Sequence, residues 1–224
     1  MVSFPLELRS KVGGHLERIY GAAPDNMINE VLQRMNYERI ESDHPPGKNY
    51  WDESRAILIT YGDSITGPPE PPLASLNEFV EQRLSDVISD VHILPFFPSS
   101  SDDGFAVKDY LSVDGELGQW SDIELICENR ALLVDLVINH CSSEHPWFEQ
   151  FKSNASPGKD FFVEVDPLSD LSKVVRPRTS ELLRETERED GSSFVWCTFS
   201  HDQVDLDFAN PEVLKEMVSI IRFL

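Results

Sequence analysis

Asp135 is the residue least expected where it stands. It lies in an apolar run, Ala131-Leu-Leu-Val-Asp-Leu-Val-Ile138, where an ionised carboxylate is costly unless paired or hydrogen-bonded. It reads either as a structural Asp satisfied by its neighbours or as a group near a site at the strand's carboxyl end. Asn139 and His140 follow directly. In parallel β/α architectures that end faces the ligand crevice, and a neutral imidazole there can donate to a hydroxyl.

A second cluster is Ser99-Ser-Ser-Asp-Asp-Gly-Phe-Ala-Val-Lys-Asp-Tyr110. Adjacent carboxylates such as Asp102 and Asp103 hydrogen-bond vicinal hydroxyls. A ring such as Phe105 stacks on an apolar sugar face. The same residues also read as an acidic turn or a weak cation site. Arg176-Pro-Arg178 is a third cluster. Guanidinium groups bind phosphate or carboxylate bidentately, and two surface arginines offsetting an acidic chain are the alternative. Gln203-Val-Asp-Leu-Asp207 is by itself a polar alternation without specificity.

The elements that must position these residues follow from patterning. Met27, Ile28, Val31, Leu32 and Met35 mark one helix face, with Asp25 as N-cap. Residues 41–48 read as a linker. Ala56–Tyr61, Val91–Leu94 and Ala131–Ile138 are apolar runs of strand length. Capping boxes at Ser75–Glu78 and Ser121–Glu124 open helices between them. The order β-α-β-α-β, with strands apolar on both faces, predicts a parallel sheet covered by helices. Asn210-Pro211 opens a further helix, with a stripe of Val213, Leu214, Met217, Val218 and Ile221. A βα loop is usually about 2–6 residues, so the long stretch from 141 to that helix predicts an inserted subdomain. Phe161–Val165 and Phe194–Phe199 are its strand candidates, and 181–190 reads as a solvated loop or helix face.

Composition sets outer bounds. The 224 residues carry 19 Lys plus Arg against 40 Asp plus Glu, a net charge of −21. Such a surface repels nucleic acid and anionic membranes. Apolar stretches stop well short of the roughly 18–20 residues of a membrane span, and the first ten residues lack a signal-peptide core. Three widely spaced cysteines show no zinc or disulfide pattern and fit free thiols in a reducing, cytoplasmic compartment. Length alone allows one or two domains.

Together the motifs resemble glycoside hydrolase family 13, the α-amylase superfamily. Asp135-Leu-Val-Ile-Asn139-His140 is similar to its Asp-x-x-x-Asn-His signature, and Gln203-Val-Asp-Leu-Asp207 to its Gln-Pro-Asp-Leu-Asn motif, departing at Val204 and Asp207. The closer resemblance is to the sucrose phosphorylase subfamily, which includes glucosylglycerate phosphorylases. It rests on Ile59–Asp63, Val91–Phe97, Asp102–Phe105, Leu117–Trp120 and Arg176–Arg178. The N-terminal helical extension resembles the longer members of that subfamily.

The resemblance implies an α/β fold: a partial (β/α)8 barrel of three strands. Its expected parts are an extension at 1–52, barrel strands at 53–140, an inserted subdomain at 141–202, and a return to the barrel at 203–224. It implies retaining transfer of a glucosyl group from an α-glucoside to inorganic phosphate as co-substrate, without other cofactor. Asp102, Phe105 and His140 would bind the sugar. Arg178 and Arg176 would meet phosphate or acceptor, and Asp135 and Asn139 would support the site. Val175 stands where sucrose phosphorylases tend to carry Tyr. Asn139 matches a calcium-ligand position of many α-amylases, but the resembled subfamily does without the metal, so none is expected. The nucleophile and acid/base are expected beyond Leu224, making the chain an N-terminal fragment inactive alone. A hydrolase or transglucosidase of the same family, and a non-catalytic carbohydrate-binding module, are the alternatives. The expected partners are an α-glucoside and phosphate, with no nucleic acid and no membrane; the sequence sets no oligomeric state.

Overall fold

The computed structural model describes residues 4–35, 52–176 and 178–224. Elements run in the order α1 (Leu6–Tyr20), α2 (Asp25–Arg34), β1 (Ile57–Thr60), α3 (Pro72–Arg83), β2 (Asp90–Ile93), α4 (Trp120–Cys127) and β3 (Ala131–Val134). Then follow β4 (His140–Ser142), α5 (Pro146–Lys152), β5 (Leu183–Arg188), β6 (Gly191–Trp196), β7 (Gln203–Asp205) and α6 (Pro211–Phe223). The chain divides into two compact units, residues 49–206 and residues 1–48 with 207–224. The linker expected at 41–48 lies outside the described residues.

In the larger unit, β1, β2 and β3 form a parallel sheet in that order. Ile57, Asp90 and Ala131 share one register level, and Thr60, Ile93 and Val134 another. Val91 and Ile93 are fully buried beneath the crossover helices. Pro72 opens α3 at its first position, one turn before the expected capping box. Likewise α4 is capped by Gln119 and Asp122 rather than by Ser121 and Glu124. The third strand is shorter than its apolar run. It leaves the ladder after Val134, and the next residue, Asp135, directs its carboxylate to His92, whose Nε2 lies 2.8 Å away.

The inserted region has its own core. Phe148 and Phe151 stack at 5.6 Å, and Phe162 meets both edge-on. The Arg188 guanidinium covers the Phe151 ring at 4.2 Å. Strands β5 and β6 form an antiparallel hairpin. The expected solvated loop at 181–190 is therefore largely strand; Glu185 and Glu187 of β5 stay in water, while Arg184 and Arg188 lie over the Phe148 and Phe151 rings. Phe161–Val165, expected as a strand, contributes single bridges from Phe162 to Leu206 and from Glu164 to Val195. Short β4 pairs antiparallel with β7, setting His140 opposite Asp205 and Ser142 opposite Gln203.

In the smaller unit, Phe4, Leu16, Met27, Ile28, Val31 and Leu32 form a core against which Leu214 of α6 packs. Buried Lys215 pairs with Glu30 at 2.5 Å and with Glu212. Arg34 reaches Glu216 at 2.9 Å and Ser219 Oγ at 2.9 Å. Of the stripe on α6 read from the sequence, Val213 and Met217 are buried and Leu214 packs on the N-terminal helices, whereas Ile221 is 52% exposed.

Candidate active site

The loop after β2 is closed on itself by backbone hydrogen bonds. Ser100 N–H donates to Ala106 O at 3.0 Å, and Lys108 N–H to Pro98 O at 2.7 Å. Asp102 and Asp103 adopt left-handed φ values of 58° and 50°, which Asp tolerates better than most residues. Gly104 follows at φ 99°, where a Cβ would lie 2.3 Å from Pro95 O. The tight turn presents Asp102 at the strand end with its side chain 42% exposed.

The segment after Asp135 is held from behind. The buried Tyr110 hydroxyl lies 2.9 Å from Val137 O and 3.1 Å from His140 O, fixing residues 137–140. Leu206 N–H donates to Asn139 O at 2.9 Å. His140 is buried, its ring 5.1 Å from that of Phe199, with Nε2 3.1 Å from Phe105 O. Burial pushes its pKa down, against the pull of Asp205, Phe105 O and Asp102. The imidazole is therefore neutral at pH 7.

These pieces meet in one cavity of 440 Å³. Asp102, Phe105, Asp135, Asn139, His140 and Arg178 all line it, together with Gln203, Phe199 and Tyr61. Arg178 extends over the Phe199 ring at 5.8 Å and lies 3.9 Å from Asp102 Oδ2. Arg176 goes elsewhere. It donates to Thr198 O at 3.2 Å, Ser180 Oγ at 3.3 Å and Cys197 O at 3.5 Å, bracing the loop that carries Arg178. A neighbouring hollow of 530 Å³ shares Tyr61 and Asp103 but holds none of the His and Arg groups. Among the described residues no cluster of three or more His, Cys, Asp or Glu could hold a metal ion. No described helix is long and apolar enough to cross a membrane. The three cysteines are free, with Cys141 and Cys197 buried.

Two residues of the site were not assigned roles from sequence. Gln203, 1% exposed, donates to Asp102 Oδ2 at 3.0 Å. Asp202 ties the insert to the sheet loops. Its Oδ2 accepts from Ser100 and Ser101 at 2.6 and 2.5 Å, and its Oδ1 from Ser143 at 2.7 Å. Burial opposes its ionisation, but the three hydroxyls and Arg184 outweigh that and hold its pKa below the usual value. The sequence signal for Gln203 was the motif at 203–207, and Asp202 lies just before it.

Residues 87–224 match the family model described as the α-amylase catalytic domain. The chain belongs to that family. Within the α-amylase family, it is 46% identical over 224 residues to the glucosylglycerate phosphorylase of Allomeiothermus silvanus, covering 99% of this chain and 39% of the relative. It is 49% identical over 214 residues to the glucosylglycerate phosphorylase of Spirochaeta thermophila, covering 93% and 36%. The crystal structure of sucrose 6F-phosphate phosphorylase from Thermoanaerobacter thermosaccharolyticum superposes with a TM-score of 0.69 at 32% identity, over 77% of this chain and 38% of that one. The chain thus spans well under half the length of the curated relatives it matches. Its three parallel strands are part of the α-amylase-family (β/α)8 barrel, and the expected fold class is borne out.

Proposed function

We propose that this chain supplies the glucosyl-binding part of a retaining α-glucoside phosphorylase acting on a glucosylglycerate. The observation that carries the substrate choice is coverage. The two glucosylglycerate phosphorylases match 99% and 93% of the chain, N-terminal helices included, whereas the sucrose 6F-phosphate phosphorylase structure matches 77%.

The cavity's chemistry agrees. The Asp102 carboxylate accepts hydrogen bonds from ring hydroxyls, neutral His140 adds a polar contact, and Phe105 walls an apolar sugar face. Arg178 offers a guanidinium to an anion, either inorganic phosphate as co-substrate or the carboxylate of glycerate. No further cofactor is invoked. In a retaining mechanism two carboxyl groups stand about 5–5.5 Å apart, one attacking the anomeric carbon and the other protonating the leaving oxygen. The resemblance assigns these to an Arg-x-Asp motif ending strand four and a Glu ending strand five. The motif Arg188-Glu189-Asp190 lies instead at the β5–β6 turn, where Asp190 pairs with Arg188 at 3.2 Å.

The test places this chain in the segment it matches of the Spirochaeta thermophila glucosylglycerate phosphorylase. Release of α-glucose 1-phosphate is then followed from glucosylglycerate and from sucrose, with and without phosphate. Phosphate-dependent release from glucosylglycerate is expected from the chimera, and none from the 224-residue chain alone. A folded chimera that cleaves only sucrose, or releases free glucose regardless of phosphate, overturns the proposal.

A further inference from the structure

We infer that Gln203 is a positioning residue that aims Asp102 into the cavity while placing no charge beside His140. The inference rests on reading those two residues as sugar ligands.

Gln203 enters from the inserted region, 101 positions from Asp102 in sequence and 63 from His140. Pairing of β7 with β4 sets it diagonal to His140, two residues along from the opposed pair of His140 and Asp205. Its side chain is almost wholly buried, and its two amide ends have separate tasks. Oε1 accepts from Ser200 Oγ at 3.1 Å. Which way the amide points is fixed at its other end, because the Asp102 carboxylate only accepts and so selects the NH2. Nε2 is left facing the cavity, 3.0 Å from Asp102 Oδ2 and 3.3 Å from His140 Nε2.

An amide NH2 donates twice and accepts nothing. Its bond to Asp102 is charge-assisted and anchors one carboxylate oxygen of an otherwise exposed side chain. Beside His140 the amide acts by its neutrality. His140 Nε2 faces Phe105 O, which only accepts, so the neutral ring carries its proton on Nε2. Nδ1 then bears the lone pair and is buried without a partner. The groups facing the ring are Asp205 across the strand pair, Asp102, Phe105 O, the Phe199 ring and Gln203. Two of these are carboxylates that favour imidazolium. A third negative charge at position 203 would charge the ring and repel Asp102. A neutral donor anchors Asp102 and leaves the ring neutral.

Three variants test this in the 224-residue chain, read by glucose titration and by imidazole and side-chain amide NMR. Gln203→Leu removes the donor and keeps the bulk; it should weaken glucose binding about tenfold while leaving His140 neutral. Gln203→Glu should raise the His140 pKa and abolish glucose binding, which loss of packing alone would not do. Asp102→Ala, at an exposed turn, should shift the Gln203 side-chain amide signals and keeps the test open if Gln203→Leu fails to fold. Glucose binding by Gln203→Leu at the wild-type level overturns the inference. So does an unchanged His140 pKa in Gln203→Glu, or an unmoved Gln203 amide in Asp102→Ala. If the wild-type chain binds no glucose, the two NMR arms decide the role of Gln203, and the phosphorylase reading is decided separately by the chimera.

Discussion

Acidification should weaken the larger unit through His145, whose ring caps α5. Nδ1 accepts the Trp147 N–H at 3.0 Å, so it must be unprotonated to do so. The ring is 6% exposed and packs on Trp147 at 4.3 Å and Tyr110 at 5.6 Å. Burial lowers its pKa from 6.5 to about 4, against the pull of Asp109. The sign follows from linkage. The unfolded chain binds a proton at pH 6.5 that the folded chain refuses until about pH 4, so stability falls as pH drops through that window. At about 1.4 kcal/mol per pH unit, the 6.5-to-4 shift costs about 3 kcal/mol once complete and about 2 kcal/mol at pH 5. His140, also lowered by burial, adds a loss of the same sign.

The perturbation is His145→Asn, which retains a side-chain oxygen for the cap but does not titrate. Urea unfolding followed by tryptophan fluorescence at pH 8, 6.5 and 5 measures the slope. The variant starts lower at pH 8 because the contact with Trp147 is gone. Its further loss between pH 8 and pH 5 should be smaller than the wild type's by about 2 kcal/mol. Equal losses in both proteins would refute the assignment of the acid window to His145.

Two other perturbations probe the scaffold. Tyr110→Phe removes the hydroxyl that serves Val137 O and His140 O, and should cost about 1–3 kcal/mol in urea unfolding, the range for leaving a buried acceptor unpaired. Gly104→Ala forces a methyl toward Pro95 O at a positive φ. It should lower stability by about 1–3 kcal/mol, and glucose titration should show weaker binding because the Asp102 turn opens.

The barrel strands were legible because parallel strands with apolar side chains on both faces read as plain apolar runs. For the same reason Asp135 stood out, and Asn139 and His140 followed as the next polar residues. The hairpin at 183–196 was not legible, since its exposed charged face carries no apolar alternation. Gln203, although inside the motif at 203–207, and Asp202 received no role from sequence for another reason. Their partners, Asp102 and Ser100, are 101 and 102 positions away, and only the pairing of β4 with β7 brings them near. Arg176 and Arg178 look equivalent in sequence. They separate only because backbone carbonyls at 197 and 198 occupy the first.

The smaller unit carries a consequence for synthesis. Its apolar core is shared between the first helices of the chain and α6, with residues 49–206 between them. A ribosome adding about 5–20 residues per second takes on the order of 8–30 s to make a stretch that long. During that interval Val31 and Leu32 have no α6 to meet. The N-terminal helices are then a sticky, waiting half-site, and a chaperone or a slow codon would act most strongly on the nascent chain before α6 emerges.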